Sequence, residues 1–170
     1  MKEDRAFSVF DWEEEEKYLR EMHKKGWKYV KHSGLITYEF EECKPEDVVY
    51  QLDYPKEKSD DYIKMFEDCG WEYLGEVNGY TYFRKPVSEM NGHDEEIFSD
   101  DESKIKMLKN VVTCRFLPFL LVFTCLVVPG LLRTLHSGMF FLKILYIITF
   151  VIYIGSFIYF IPKIYRLYKK

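Results

Sequence analysis

The residues of this chain that could do chemistry by type are its cysteines, two histidines, a run of glutamates and a dense set of aromatic rings. Cys43, Cys69, Cys114 and Cys125 form no Cys-x-x-Cys pair. With His23 and His32, the first two cysteines would offer nitrogen and sulfur ligands of the kind zinc takes, but their spacing follows no standard zinc arrangement. They read as ordinary reduced buried thiols and surface histidines. Glu13–Glu16 concentrates four carboxylates, which could hold a cation or a basic partner. In the first turn of a helix the same run is solvated charge favoured by the helix dipole, and that is the reading adopted. There is no Gly-x-Gly-x-x-Gly, no Walker motif and no Ser-His-Asp or Cys-His order. The sequence therefore points to no catalytic residue, metal or cofactor, and to a protein that is not an enzyme. Trp12, Tyr18, Trp27, Tyr29, Tyr62, Phe66, Trp71 and Tyr73 either fill a core or line a two-fold symmetric groove for a flat or cationic ligand.

These rings come in two matching sets. Tyr18, Gly26, Trp27 and Tyr29 recur as Tyr62, Gly70, Trp71 and Tyr73, all offset by 44 residues. Thr37-Tyr38 recurs as Thr81-Tyr82 at the same offset. An internal repeat of this kind organises the N-terminal half. Each unit reads as strand, helix, strand, strand.

In the first unit, Phe7–Phe10 is the expected strand, and Asp11 and Glu14 form the expected capping box. Trp12, Glu15, Tyr18, Leu19 and Met22 make the inward stripe of the helix, and Gly26 its left-handed stop. Trp27–His32 and Leu35–Glu42 follow as a hairpin. In the second unit, Val48–Tyr54 is the strand and Ser59 caps a helix running to Cys69. Trp71–Val77 and Tyr80–Arg84 pair across Asn78-Gly79, a preferred two-residue turn. The expected fold is α+β: duplicated β-α-β-β units forming a two-layer antiparallel sheet with two helices. Lys28, Glu39, Glu41, Gln51, Asp53 and Glu72 make its outer face polar, with Val30, Leu74 and Phe83 as exceptions. The units span about residues 6–42 and 48–85, within a domain covering 1–86.

Charge divides the chain again. The net charge of −4 hides −14 over residues 1–103 and +10, without a single acid, over 104–170. A −14 domain repels phosphate, which argues against nucleic acid as a partner. Residues 87–103 read as an acidic flexible linker and 104–110 as a basic juxtamembrane segment. Residues 111–132 and 139–161 are each long and apolar enough to cross a bilayer, with Arg115 and Lys143 able to snorkel. A turn at 133–138 would then be external, and 162–170 a basic tail. Lys104, Lys106, Lys109 and Arg115 precede the first span, and Lys163, Arg166, Lys169 and Lys170 follow the apolar run of the second. The positive-inside rule puts both termini in the cytoplasm of a multi-pass membrane protein. The charged first 30 residues hold no apolar signal-peptide core.

The Phe7–Leu19 start, Phe-Ser-Val-Phe-Asp-Trp-Glu-Glu-Glu-Glu-Lys-Tyr-Leu, resembles the domain of unknown function 2812, as do the paired Gly-Trp-x-Tyr motifs and the membrane tail. That family is found mainly in Gram-positive bacteria, and the resemblance covers roughly residues 5–86. It brings no catalytic residues. Its members are often encoded beside PadR-type transcription regulators, which implies a signalling or stress-response setting. In topology alone, the paired units are also similar to GyrI-like effector domains, which hold small molecules between two helices. The expected function is a membrane-anchored cytoplasmic sensor or interaction module, binding a protein partner or a small hydrophobic ligand. A second copy of the chain is a further partner this reading admits. The alternative is an accessory subunit of a membrane transporter, or a small membrane-stress protein.

Overall fold

The computed structural model describes residues 1–34, 36–90, 101–135 and 140–169, with backbone only at 101–104, 163 and 167–169. The chain forms two units, Met1–Met107 and Leu108–Lys170. Most of the expected acidic linker, and part of the expected external turn, lie outside the described residues.

The first unit runs β1 (Lys2–Asp4), α1 (Trp12–Lys24), β2 (Trp27–His32), β3 (Thr37–Glu42), β4 (Val48–Asp53), α2 (Asp60–Asp68), β5 (Glu72–Val77) and β6 (Tyr80–Pro86). Two three-stranded antiparallel sheets result, in the orders β1-β3-β2 and β4-β6-β5. Each half thus has the same element order and the same strand order, and the class is α+β. Both helices end on a glycine at positive φ, Gly26 at +88° and Gly70 at +80°. Asn78 and Gly79 both take positive φ in the β5–β6 turn, as the primed hairpin turns require.

The first strand is not where the sequence placed it. Phe7–Phe10 is a loop closed by a turn, in which the Ser8 amide donates to Asp11 Oδ2 at 3.0 Å and the Asp11 amide donates to the Ser8 carbonyl at 2.9 Å. Asp11 is therefore turned back towards Ser8, and no capping box forms at α1. Lys2–Asp4 occupies the sheet edge instead, pairing with Glu39–Thr37. At α2 the expected cap is present: Ser59 accepts from the Tyr62 amide.

Two register details decide what faces what. Tyr29/Lys31 and Tyr73/Gly75 flank bulges at equivalent positions, so Val30 and Leu74 are the extra residues of two matched β-bulges. That explains why both break the alternation. In the last strand of each half, Tyr29 pairs with Phe40 and Tyr73 with Phe83. Phe83 is thus the counterpart of Phe40, an offset of 43 rather than 44. The second hairpin loop is one residue shorter, and a one-residue slip turns each side chain to the other face. The structural counterpart of Tyr82 is Glu39, and that of Tyr38 is Thr81.

The sheet of β4, β5 and β6 is consequently covered on both faces. On one, Phe66 of α2 stacks on Phe83 with ring centroids 4.5 Å apart, within a cluster of Val49, Trp71 and Met90. On the other, Tyr82 stacks on Tyr29 at 5.7 Å, and the amide of Leu52 donates to Glu16 Oε1 at 2.7 Å. Asp53 and Phe83, expected on an outer polar face, are both buried. Lys28, Glu39 and Glu41 do face outward, in ion pairs that include Lys2 with Glu39. Met90 is buried too, so the core of this unit extends past Pro86 into the first residues of the expected linker.

A continuous helical run that crosses from the first unit into the second, α3 (Asp101–Val111), α4 (Leu117–Val122) and α5 (Val128–Leu135), is interrupted by two π-helical turns, Val112–Phe116 and Phe123–Val127. Each π turn ends just before a proline. The Leu117 amide reaches Val112 and the Val128 amide reaches Phe123, an i to i−5 pattern one residue ahead of Pro118 and Pro129. A proline lacks its amide donor and crowds the preceding turn, which widens there. α6 (Phe140–Lys169) returns antiparallel. Phe119 stacks on Tyr153 at 4.3 Å, Phe123 lies 5.5 Å from Phe150, and Gly130 lies against the Tyr146 ring. Two helical stretches, Ile105–Leu135 and Phe140–Arg166, are long and apolar enough to cross a membrane.

Candidate functional site

The polar residues most deliberately placed in the α+β unit surround Glu15. α1 begins one turn earlier than α2, since Asp60 corresponds to Glu16. Glu15 lies in that extra turn, and its counterpart at the same offset is Ser59, the N-cap of α2. It projects from the apolar stripe of α1 and is buried together with Trp12, Tyr18, Leu19 and Met22. Glu15 Oε1 accepts from the hydroxyls of Tyr38 and Tyr82, each at 2.7 Å. The register slip in β6 is what aims Tyr82 at it, from a different sheet than Tyr38.

His32 closes the cluster. Its ring centroid lies 4.1 Å from that of Tyr38 and 5.6 Å from that of Tyr82. Nδ1 shares a 2.7 Å hydrogen bond with the Tyr29 hydroxyl, and Nε2 stands 4.0 Å from Glu15 Oε1. The His32 side chain is 5% exposed and that of Glu15 9%, so water barely reaches either.

Burial sets the electrostatics. It raises the pKa of Glu15, and the two tyrosine hydroxyls draw it back by bonding to the ionised form. Burial lowers His32 to about 4, which leaves it neutral at pH 7. Burial foremost, and then the Glu15 charge, push the hydroxyls of Tyr29, Tyr38 and Tyr82 upward. The tyrosines are donors held in the protonated state rather than nucleophiles.

Two smaller networks flank this one. His23 Nδ1 shares a 2.8 Å hydrogen bond with the Tyr50 hydroxyl, and Arg84 joins Glu72 to the Tyr29 carbonyl. Beneath α2, Tyr62 donates to the buried Asp53 carboxylate, whose pKa burial raises. In the first half, burial and then Glu3 push the Tyr18 hydroxyl upward, but that buried hydroxyl makes no hydrogen bond. Glu3 pairs with Tyr38 as Asp53 pairs with Thr81, so the two carboxylates occupy equivalent positions.

The eight aromatic residues read as either core or groove fall on two sides of one sheet. Tyr62, Phe66, Trp71 and Tyr73 gather around Phe83 under α2. Tyr29 lies against Tyr82, and Tyr18 packs edge-on to Tyr38 and Phe40. Tyr82 and Phe83 are consecutive in β6 and point to opposite faces. Trp12 is buried on α1, and Trp27 is half-buried at the start of β2.

The expected buried thiols and surface histidines are placed otherwise: His23 is buried, as is the His32 side chain, while Cys69 is exposed and Cys43 half-buried. Among the described residues no three of His, Cys, Asp and Glu are grouped to hold a metal. Of the Glu13–Glu16 run read as solvated, Glu15 is buried, as its place on the expected inward stripe implied, and Glu16 bonds β4. The signal was present in the sequence, because Glu15 sits three residues from both Trp12 and Tyr18 on the inward stripe.

The sequence pattern of a family described as a protein of unknown function, DUF2812, matches residues 11–121. The match runs from the start of α1 into the first apolar helix. No curated protein matches the chain, and no solved structure does.

Proposed function

This chain belongs to the DUF2812 family, whose function is unknown, and from its own architecture we propose a non-enzymatic interaction module anchored in the cell membrane. The observation that carries this reading is the helical pair. Ile105–Leu135 and Phe140–Arg166 meet along one aromatic stripe, and most of the rest of their apolar surface is exposed. Leu126 is 65% exposed, Phe141 86% and Ile158 70%. A bilayer is the solvent for such a surface. The flanking basic residues favour a cytoplasmic α+β unit. A reporter fused after Lys170 is expected on the cytoplasmic side, and an external signal would overturn that orientation.

A non-enzymatic role is supported by the chemistry of the Glu15 cluster. Its hydroxyls are held protonated, its histidine is neutral, and its carboxylate is shielded from solvent. Crosslinking the tagged full-length protein in native membranes, followed by mass spectrometry, tests the reading. Reproducible recovery of a soluble partner is the expected result. Substrate turnover by the purified chain would refute it.

A second reading, an accessory subunit that contacts another membrane protein, is favoured by Gly155. A Cβ at that position would meet nothing within 4 Å, on a side of α6 turned away from the aromatic stripe. Small residues let a neighbouring helix approach closely. Replacing both spans with an unrelated hairpin separates the two readings, since only the accessory role should then fail.

A further inference from the structure

We infer that the stripe of Cys114, Pro118, Leu121, Cys125, Pro129 and Leu132 along the first apolar helix is the contact surface for a second copy of this chain. The inference rests on the membrane-anchor reading and names the partner of that anchor. It begins with a second, shorter repeat in the sequence. Thr113-Cys114, Pro118 and Leu120-Leu121 recur as Thr124-Cys125, Pro129 and Leu131-Leu132, all offset by 11 residues. The two π-helical turns, Val112–Phe116 and Phe123–Val127, recur at the same offset. Eleven residues make about three helical turns, so a pattern of that period stays on one side of a helix.

Two sides of the helix carry it. Phe116, Phe119 and Phe123 have Val127, Gly130 and Thr134 as counterparts, and this side meets α6, with Phe119 on Tyr153 and Gly130 on Tyr146. Every residue of the stripe stands two positions from one of these, which is about 200° round the helix. All six residues of the stripe are exposed. One side of the repeat is thus packed on a helix, and the other has the same period without a cover from its own hairpin.

The prolines place a demand on the open side that acyl chains do not meet. A proline has no amide to give, so Pro118 and Pro129 each leave the preceding turn one backbone donor short. Within a bilayer, a nearby hydroxyl or a neighbouring helix supplies such a donor. Before Pro129 the hydroxyl of that turn, Thr124, is directed to the carbonyls of Leu120 and Leu121 instead. Cys125, with Sγ 3.8 Å from Thr124 Oγ1 and its residue exposed, presents a thiol donor at that level, and a second copy brings another.

Two copies inserted in one membrane run in the same direction. A two-fold axis along the hairpin then sets Cys114 opposite Cys114 and Cys125 opposite Cys125, so one rotation closes both levels of the repeat. An unrelated helix would need matching levels of its own at the same spacing. Arg115 stands about 100° round the helix from Cys114, so the charges of two copies do not face each other across the axis.

The test reconstitutes the full-length chain, with Cys43→Ser and Cys69→Ser, at low density in phosphatidylcholine vesicles and treats it with a short bismaleimide. Cys114 and Cys125, each kept alone with the other changed to serine, are both expected to give a covalent dimer on denaturing gels. A chain whose single cysteine is Leu126→Cys should give severalfold less, because Leu126 is 65% exposed but lies about 100° off the stripe. Photobleaching of the unaltered chain, labelled on a tag, should show paired steps without any substitution. Single steps would overturn the inference, as would a dimer yield from Leu126→Cys equal to that from Cys125. Crosslinking of Cys125 in native membranes to a different protein, in place of its own copy, would also overturn it. Monomers that float with the vesicles would sink the inference alone, whereas a chain that does not float with them would sink the membrane-anchor reading as well.

Discussion

Glu15 is an ionisable group whose two states the fold weighs against each other. Its folded pKa is raised, so its contribution to stability is greatest at acid pH and is lost as pH rises through the folded value. His32 acts oppositely. Its folded value is lowered to about 4, so its contribution is present above its unperturbed value near 6.5 and is lost as pH falls towards 4. As the pH falls the two therefore act in opposite directions. Glu15→Gln removes one side, and its stability should fall more steeply with acid than that of the unaltered protein. All three tryptophans, Trp12, Trp27 and Trp71, lie in the α+β half, so their fluorescence during urea unfolding reports this unit alone. A parallel pH dependence in the two proteins would remove Glu15 from the balance. Tyr82→Phe deletes one of two donors to a buried carboxylate and should cost about 1.5–3 kcal/mol where Glu15 is ionised. The loss should shrink once Glu15 is protonated, and the same fluorescence assay measures it.

At the level of elements, the two helix stops are equivalent in sequence and unequal in surroundings. A Cβ on Gly26 would stand 3.0 Å from the Cys43 carbonyl oxygen, which is backbone and is held because the Cys43 amide donates to Gly26. A Cβ on Gly70 would meet only the flexible end of Lys85, at 3.2 Å. Both positions have positive φ, so alanine is strained at either by about 1 kcal/mol. Gly26→Ala should therefore lower the unfolding midpoint more than Gly70→Ala. Equal shifts would mean that strain alone, and not the carbonyl, sets the cost.

For the whole molecule, the hairpin depends on one close approach. A Cβ on Gly130 would fall 2.3 Å from a ring carbon of Tyr146, which no small adjustment accommodates. Gly130→Leu should force α5 and α6 apart. Crosslinking of Phe123→Cys to Phe150→Cys by a short bifunctional thiol reagent, in a chain with Cys114 and Cys125 replaced by serine, should then drop severalfold, since these two positions face each other in the unaltered protein. Gly155→Leu makes a contrasting control, because open space surrounds that position and the hairpin's crosslinking should be kept. Equal yields in both variants would mean that Gly130 does not set the spacing.

Sequence alone determined the features that local physics dictates. Charge and apolar length marked the two stretches fit to cross a membrane, because the free energy of placing residues in a bilayer sums over composition. The matched glycines, the Asn78-Gly79 turn and the Ser59 cap were legible because each answers a local backbone demand. Tertiary structure decided the rest. A loop shorter by one residue moved β6 by one position, and pleating converted that into a change of face for Tyr82 and Phe83. No periodicity argument registers such a slip, since alternation reads the same in either phase. The slip buries Phe83 under α2, parts the expected aromatic groove across a sheet, and turns Tyr82 towards Glu15. Phe7–Phe10 failed as a strand for a related reason. Its alternating apolar residues satisfied the strand pattern, but the Ser8–Asp11 bonds bend it, and Lys2–Asp4, a charged segment with no apolar signal, holds the sheet edge through backbone hydrogen bonds that side-chain patterns do not encode.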